Sequence, residues 1–133
     1  MKKLKIKLVD INKLNTHEAV VKDRVNQVFE SIKLSGLLIN PVVVDQKTLI
    51  VLDGHHRLAA LKKMKAKKIP VLLVDYKSKN IKVYLRRKEL MINVIKEAVI
   101  KKGLSNQHFP PKTTKHNLSF KLKNIKLNVN QLL

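Results

Sequence analysis

The sequence has no cysteine and no tryptophan, and only nine of its 133 residues are acidic. The absence of cysteine excludes disulfide bonds and thiolate metal ligands. Three phenylalanines and two tyrosines offer few rings on which nucleic-acid bases stack. No run of about 18 apolar residues occurs, so we expect no membrane span. The basic N-terminus lacks the apolar core of a signal peptide, and we therefore expect a cytoplasmic protein.

Basic residues dominate the charge of the chain. Lysine and arginine number 29, which gives a formal net charge of +20 at pH 7. Such a charge favours polyanionic partners, and nucleic acid is the obvious one. The lysines are spread along the chain rather than gathered in one block, so nucleotide phosphates are also compatible with the charge. The length and a hydrophobic fraction of 44% are those of one domain with a real core.

Hydrophobic periodicity predicts a small mixed α/β domain. Apolar residues at 25, 28, 29 and 32 fall on one face of a helix that Gly36 ends. A later helix, with its apolar face at residues 90–98, is predicted to end near Gly103. Residues 104–120 lack periodicity and carry no predicted element. The predicted strands are residues 2–9 at a sheet edge, 41–45 and 48–52 as a hairpin, 69–76, 81–85, and 125–133 as a strand or turn.

Residues 49–64 combine a strand end, a tight turn and a helix. Residues 49–52 are apolar, the motif Asp-Gly-His-His-Arg occupies 53–57, and apolar residues recur at helical spacing over 58–64. The N–H groups of a helix start suit an anion such as phosphate. Gly54 allows close approach of the backbone, and Arg57 can bind an oxyanion through two hydrogen bonds. A capped helix with a solvated arginine explains the same spacing, and the pattern alone does not choose between them.

Three stretches resemble the ParB/sulfiredoxin-like fold, a small domain with a mixed sheet flanked by helices. They are the segment 53–60, the strand 41–45 before it, and the helix end at 30–36. In that superfamily the G-x-x-R segment opens a helix and binds nucleotide phosphates. Sulfiredoxins need a catalytic cysteine in this loop, and this chain has none. Chromosome-partitioning members need a helix-turn-helix domain after the nucleotide domain, for which the chain has no room.

Further motifs resemble the archaeal free serine kinases, which phosphorylate L-serine to O-phosphoserine. They are Thr-His-Glu at 16–18, Val-Asp-Tyr at 74–76, Pro-Lys-Thr-Thr-Lys-His at 111–116, and the C-terminal end at 125–133. The resemblance implies that residues 1–133 form a single nucleotide-binding kinase domain. It implies ATP or ADP as phosphoryl donor, Mg²⁺ as cofactor, L-serine as acceptor, and a product that enters cysteine or other serine-derived metabolism. Longer members have an extra region after Tyr84, and Arg86 stands where the family has a tryptophan.

The resemblance also implies roles for particular residues. Glu18 matches the family's catalytic glutamate, although alone it is typical of an exposed loop acid. Asp53 is a second candidate catalytic carboxylate that could hold Mg²⁺, although it also suits a plain Asp-Gly turn. The candidate phosphate-binding residues are Gly54, His55, His56, Arg57, Lys112, Thr113 and Thr114. The candidate substrate-binding residues are His17, Ser31, Lys115 and His116. His17 could instead orient Glu18, and it also suits an ordinary surface histidine.

Two other functions are compatible with parts of the sequence. A zinc site at the paired histidines is disfavoured, because adjacent side chains point apart and no cysteine completes a ligand set. The main alternative is a ParB-like nucleotide- and DNA-binding module, which the charge of +20 favours. The kinase requires Glu18 and residues 112–116 to face the 53–57 loop across one cleft. A DNA module would place lysines on a continuous face elsewhere. The sequence does not predict the oligomeric state.

Overall fold

The computed structural model describes residues 6–38, 40–86, 95–105, 107–118 and 127–133. The helices are α1 (Lys22–Ser35), α2 (His55–Lys63) and α3 (Lys96–Leu104), with short 3-10 turns at Ile11–Lys13 and Val129–Leu132. The strands are β1 (Ile6–Asp10), β2 (Leu37–Leu38), β3 (Val42–Asp45), β4 (Val51–Asp53), β5 (Lys68–Val74), β6 (Ile81–Leu85), β7 (Thr114–Leu118) and β8 (Leu127–Asn128). No helix in these parts of the chain is long and apolar enough to cross a membrane.

A mixed four-stranded sheet forms the centre of the fold. Its strand order is β1-β5-β3-β4, in which β3 and β5 are parallel and the two outer pairs are antiparallel. The predicted mixed sheet, its edge strand and the hairpin of β3 with β4 are therefore confirmed. Residues 2–5 of the predicted first strand lie outside the described residues. Two smaller antiparallel pairs, β2 with β8 and β6 with β7, complete the strands.

Strand β3 divides the core into two apolar clusters because side chains alternate across a sheet. Val42 and Val44 pack on the face that α1 and α2 cover, whereas Val43 packs on the face near Tyr76 and α3. All three valines are fully buried. Burial of each such side chain contributes about 1.5–3 kcal/mol. Both faces of β3 are thus apolar, which explains its unbroken valine run.

Helix α1 follows the predicted pattern. Val25 and Ile32 are buried, and Val28 and Phe29 pack at the border of the same cluster. Gly36 ends the helix at φ 69°, and its N–H donates to the Ile32 carbonyl. This left-handed position favours glycine because a Cβ would be strained there.

Helix α3 requires a correction to the predicted start. Ile95, placed by the sequence in the helix, is instead the extended residue before it and is about half exposed. Its predicted neighbours at 90, 91 and 94 lie outside the described residues. Gly103 is inside the last turn, and the helix ends one residue later. A Cβ on Gly103 would come within 2.7 Å of Ile50, so the glycine allows close packing of α3 on the core.

The segment 104–120, which carried no predicted element, contains strand β7. It pairs antiparallel with β6, and Leu85 lies opposite Thr114. The inward residues of β7 include Thr114 and His116, which are polar, so the apolar alternation that signals a strand is absent. At the C-terminus, β8 and the following 3-10 turn confirm the predicted strand or turn for the described residues.

Candidate active site

The turn from β4 into α2 is built around Gly54. Asp53 ends the strand, Gly54 adopts φ 105°, and α2 begins at His55. A Cβ on Gly54 would lie 3.0 Å from both Val42 Cγ2 and Arg57 Nη2. Because Gly54 has no side chain, the Arg57 guanidinium has room to lie over the turn.

Arg57 and Asp53 form an ion pair across the first turn of α2, with Nη2 and Oδ2 3.6 Å apart. The Arg57 side chain is largely buried, whereas that of Asp53 is about half exposed. The first turn of α2 contains no acidic residue, so its free N–H groups and the arginine together favour an anion.

Each of the two histidines of the turn accepts a hydrogen bond from the segment 17–21 and so joins that segment to α2. The His55 ring is buried, where its Nε2 accepts a hydrogen bond from the His17 N–H at 3.4 Å. His56 Nε2 accepts from the Val21 N–H at 3.1 Å. Burial lowers the pKa of His55 well below its ordinary value, so the ring is neutral. Of the phosphate contacts predicted for His55, only that of its backbone N–H is compatible with this geometry.

Glu18 is buried, which contradicts the alternative of an exposed loop acid. Its Oε1 accepts two hydrogen bonds from Thr114, from the N–H at 2.8 Å and from the hydroxyl at 3.0 Å. Burial raises the pKa of Glu18, while the hydrogen bonds from Thr114 and the charge of Arg86 oppose that rise. The backbone around Glu18 pairs with Phe109, so a neighbouring chain segment fixes the position of the carboxylate.

His17 lies in the interior beside Glu18. Its Nδ1 donates to the Val51 carbonyl at 3.0 Å, and its Nε2 lies 3.0 Å from Thr114 Oγ1. Burial lowers the pKa of His17 to about 4. On the other side of the ring, His116 contacts the Tyr76 hydroxyl at 2.8 Å through Nε2, and burial lowers its pKa to about 3. Both rings are therefore neutral at pH 7.

A cavity of about 440 Å³ is lined by Val21, Arg86, Pro111 and Lys112. The positive charge of Arg86 acts on Glu18, and that of Lys112 acts on His56. The Arg86 N–H donates to the Thr113 carbonyl at 2.7 Å, which continues the β6–β7 pairing by one step. The cavity thus carries two cations, of which one acts on Glu18 and the other on His56 in the first turn of α2.

Thr114 of β7 holds Glu18, and the side chains of His55 and His56 join the segment 17–21 to the start of α2. One cleft shared by Glu18, residues 112–116 and the 53–57 loop stays a prediction. Two predicted substrate residues stand apart. Ser31 is exposed on α1, and Lys115 points to the exposed face of β7, opposite to Thr114 and His116. Tyr76 and Arg86 belong to the site although no role was predicted for them. The one signal for Arg86 was its position where the resembled family has a tryptophan.

The candidate metal ligand is Asp53. Among the described residues no three His, Asp or Glu side chains form a group that could hold a metal ion. Mg²⁺ needs only one or two carboxylates when nucleotide phosphates supply the other oxygens. The half-exposed Asp53, at the turn before α2, fits such a metal.

Comparison with known proteins adds sequence relatives to this geometry. Residues 1–88 match the family described as the ParB N-terminal domain. An ATP-dependent L-serine kinase of Staphylothermus marinus is 33% identical over 103 residues, which cover 73% of this chain and 41% of that protein. An ADP-dependent L-serine kinase of Thermococcus kodakarensis is 32% identical over 87 residues, which cover 62% of this chain and 36% of that protein. The chain thus spans about two fifths of the length of these relatives.

A solved structure extends the comparison to the fold. A free serine kinase in complex with AMP superposes with a TM-score of 0.84 at 20% identity, over 99% of this chain and 95% of that one. This chain shares the fold of that enzyme, including the parts that follow the 1–88 match.

Proposed function

Because this chain belongs to the ParB N-terminal domain family and holds a buried glutamate on which the charge of Arg86 acts, we propose that it is a nucleotide-dependent kinase of free L-serine. The product would be O-phosphoserine, which would be available to serine-derived metabolism such as cysteine formation. The two kinase relatives use different donors by their names, ATP in one and ADP in the other. The proposal takes residues 1–133 as one kinase domain that acts in the cytoplasm.

The observation that carries the proposal is the placement of Glu18. Phosphoryl transfer to a hydroxyl needs a carboxylate that orients the hydroxyl and takes its proton. Glu18 is buried, its pKa is raised, and two hydrogen bonds from Thr114 fix it. As the serine oxygen bonds to the transferred phosphorus, the bond to the leaving nucleotide oxygen breaks. The proton of the serine hydroxyl passes to Glu18.

The phosphates would be held at the turn before α2. Backbone N–H groups from Gly54 onward and the Arg57 guanidinium can bind phosphate oxygens there. Arg86 and Lys112 would neutralise the charge of the transferred group and of the serine carboxylate in the cavity. Asp53 would hold Mg²⁺, which would supply positive charge to offset that of the phosphates.

The test is formation of product by the purified chain. It is incubated with Mg²⁺ and L-serine, and with ATP or ADP in separate reactions. L-threonine and D-serine serve as acceptor controls. O-phosphoserine detected by mass spectrometry with one donor, and absent in the controls, is the expected result. Absence of product with both donors, while calorimetry shows nucleotide binding, would refute the serine kinase.

A second candidate function, nucleic-acid binding, is favoured by a separate cavity. It measures about 640 Å³, lies at the end of α2 opposite to Gly54, and is lined in part by Lys62, Lys65, Lys67 and Lys68. Four lysines around one concavity suit the phosphates of a nucleic acid.

Fluorescence anisotropy with labelled DNA would test the second function. If DNA binds at this cavity, the double variant Lys65→Glu and Lys67→Glu should bind it more weakly, and its affinity should depend less steeply on salt. The matched control is Lys77→Glu with Lys79→Glu, which alters the net charge equally at another exposed place. Equal losses in both double variants would indicate only a response to net charge.

A further inference from the structure

The Thr114 hydroxyl lies between two hydrogen-bond acceptors. Its oxygen is 3.0 Å from Glu18 Oε1 and 3.0 Å from His17 Nε2. The Val51 carbonyl can only accept, so the ring proton of neutral His17 resides on Nδ1. Nε2 then carries only a lone pair, and it competes with Glu18 for the single hydroxyl proton.

Each of the two contacts of the Thr114 oxygen contains a hydrogen only when Glu18 is protonated. With an ionised Glu18, two acceptors share one hydroxyl proton, and one of the two contacts has no hydrogen. With one proton added to Glu18, its O–H donates to the Thr114 oxygen, and the Thr114 hydroxyl turns to His17. Both contacts are then proper hydrogen bonds.

We propose that the Thr114 hydroxyl switches from Glu18 to His17 when Glu18 takes the substrate proton, which makes His17 a positioning residue for the general base. The inference rests on the proposed kinase function. Of the two roles predicted for His17, orientation of Glu18 and contact with substrate, the inference assigns the first. Because buried acceptors need donors, the switch stabilises the protonated glutamate and strengthens Glu18 as a base.

The surrounding charges are compatible with this role. His17 faces His55 from α2 and His116 from β7, with His108 further out. Burial lowers the pKa of both neighbouring rings, so they are neutral. Arg86 is the charged group that acts on Glu18, and its positive charge favours the ionised carboxylate. The switch opposes Arg86 by favouring the protonated form.

The test compares the acidic limb of the kcat/KM profile in single and double variants. His17→Asn keeps an N–H for Val51 but has no atom at the Nε2 position. We expect the midpoint of that limb to fall by roughly half to one pH unit, the equivalent of one ordinary hydrogen bond. In a Thr114→Val background the same change should leave the midpoint unmoved, because the hydroxyl that links the residues is absent. Thr114→Ser, which keeps the hydroxyl, should retain the effect. An equal shift in the Val background would overturn the proposal.

Nuclear magnetic resonance of the unmodified chain tests the switch without any kinase activity or risk of misfolding. With ¹⁵N-labelled histidine, the Nε2 resonance of His17 should change at the pH at which the Glu18 carboxyl carbon titrates. The change should disappear in Thr114→Val. A His17 proton on Nε2, or an Nε2 resonance unaffected by the Glu18 titration, would refute the switch. If the Nε2 resonance follows the Glu18 titration but no O-phosphoserine forms, the kinase function is refuted and the hydrogen-bond switch between Glu18 and His17 is still supported.

Discussion

Replacement of Gly54 by alanine tests how the turn before α2 is built. The glycine has φ 105°, where an L side chain is strained, and the added Cβ would lie 3.0 Å from Val42 and from Arg57. Val42 is fully buried in β3, where close packing keeps its side chain from moving away. Either the start of α2 or the guanidinium must therefore move.

The expected loss of stability in Gly54→Ala has two contributions. Positive φ costs an L residue about 1–2 kcal/mol. The overpacking against Val42 adds about 1–3 kcal/mol. We expect the free energy of unfolding to fall by about 2–5 kcal/mol in Gly54→Ala, from the sum of these contributions. Displacement of one charge-assisted contact from Arg57 should also weaken ADP binding by roughly 10- to 100-fold.

Urea denaturation and calorimetric titration with ADP measure these two effects. Gly36→Ala is the matched control, since Gly36 has φ 69° but no atom within 4 Å of an added Cβ. That variant should lose only about 1–2 kcal/mol and should bind ADP normally. Equal destabilisation of the two variants, or unchanged ADP affinity in Gly54→Ala, would refute this account of the turn.

Two further predictions concern stability. Gly103→Ala should reduce the free energy of unfolding by about 1–3 kcal/mol because its Cβ overlaps Ile50. Ile50→Ala removes all the overlapped atoms. In urea denaturation, the double variant should therefore lose less free energy of unfolding than the sum of the losses in the two single variants. The pH dependence follows from His17 and His116, whose folded pKa values lie near 4 and 3 against an ordinary 6.5. The unfolded chain therefore takes up their protons first, and stability should fall as the pH drops below 6.5, by up to about 1.4 kcal/mol per pH unit for each ring. The raised pKa of Glu18 opposes this loss, and a stability that stays constant from pH 7 to 4.5 would contradict the buried neutral histidines.

The parts of the fold that were predictable have local apolar patterns. Helix α1 has its apolar residues on one face and a glycine after its end, and both features lie within 15 residues of sequence. The alternation of β1 and the valine run of β3 are equally local. Strand β7 has no such pattern, because the partner of Thr114 is Glu18, 96 residues earlier in the chain. The inward polar side chains of β7 find their hydrogen-bond partners only through tertiary contacts.

The site was predictable to a smaller extent and for a different reason. The glycine, arginine and helix start at 54–57 follow from local chemistry. Glu18 came from resemblance to a family, since its residue type and position alone suit a solvated loop. Burial of His17 and His55, and the placement of Arg86 beside Glu18, depend on packing between distant segments. No pattern in the sequence reports such packing.

The most direct measurement is the rate of O-phosphoserine formation in Glu18→Gln beside Glu30→Gln. Glu30 is exposed on α1 and controls for the loss of one acidic charge. The account predicts a fall of about 100- to 10,000-fold in kcat for Glu18→Gln, as for removal of a general base, with ADP binding retained. Glu30→Gln should match the unmodified chain. Equal rates in the two variants would contradict Glu18 as the base that takes the serine proton.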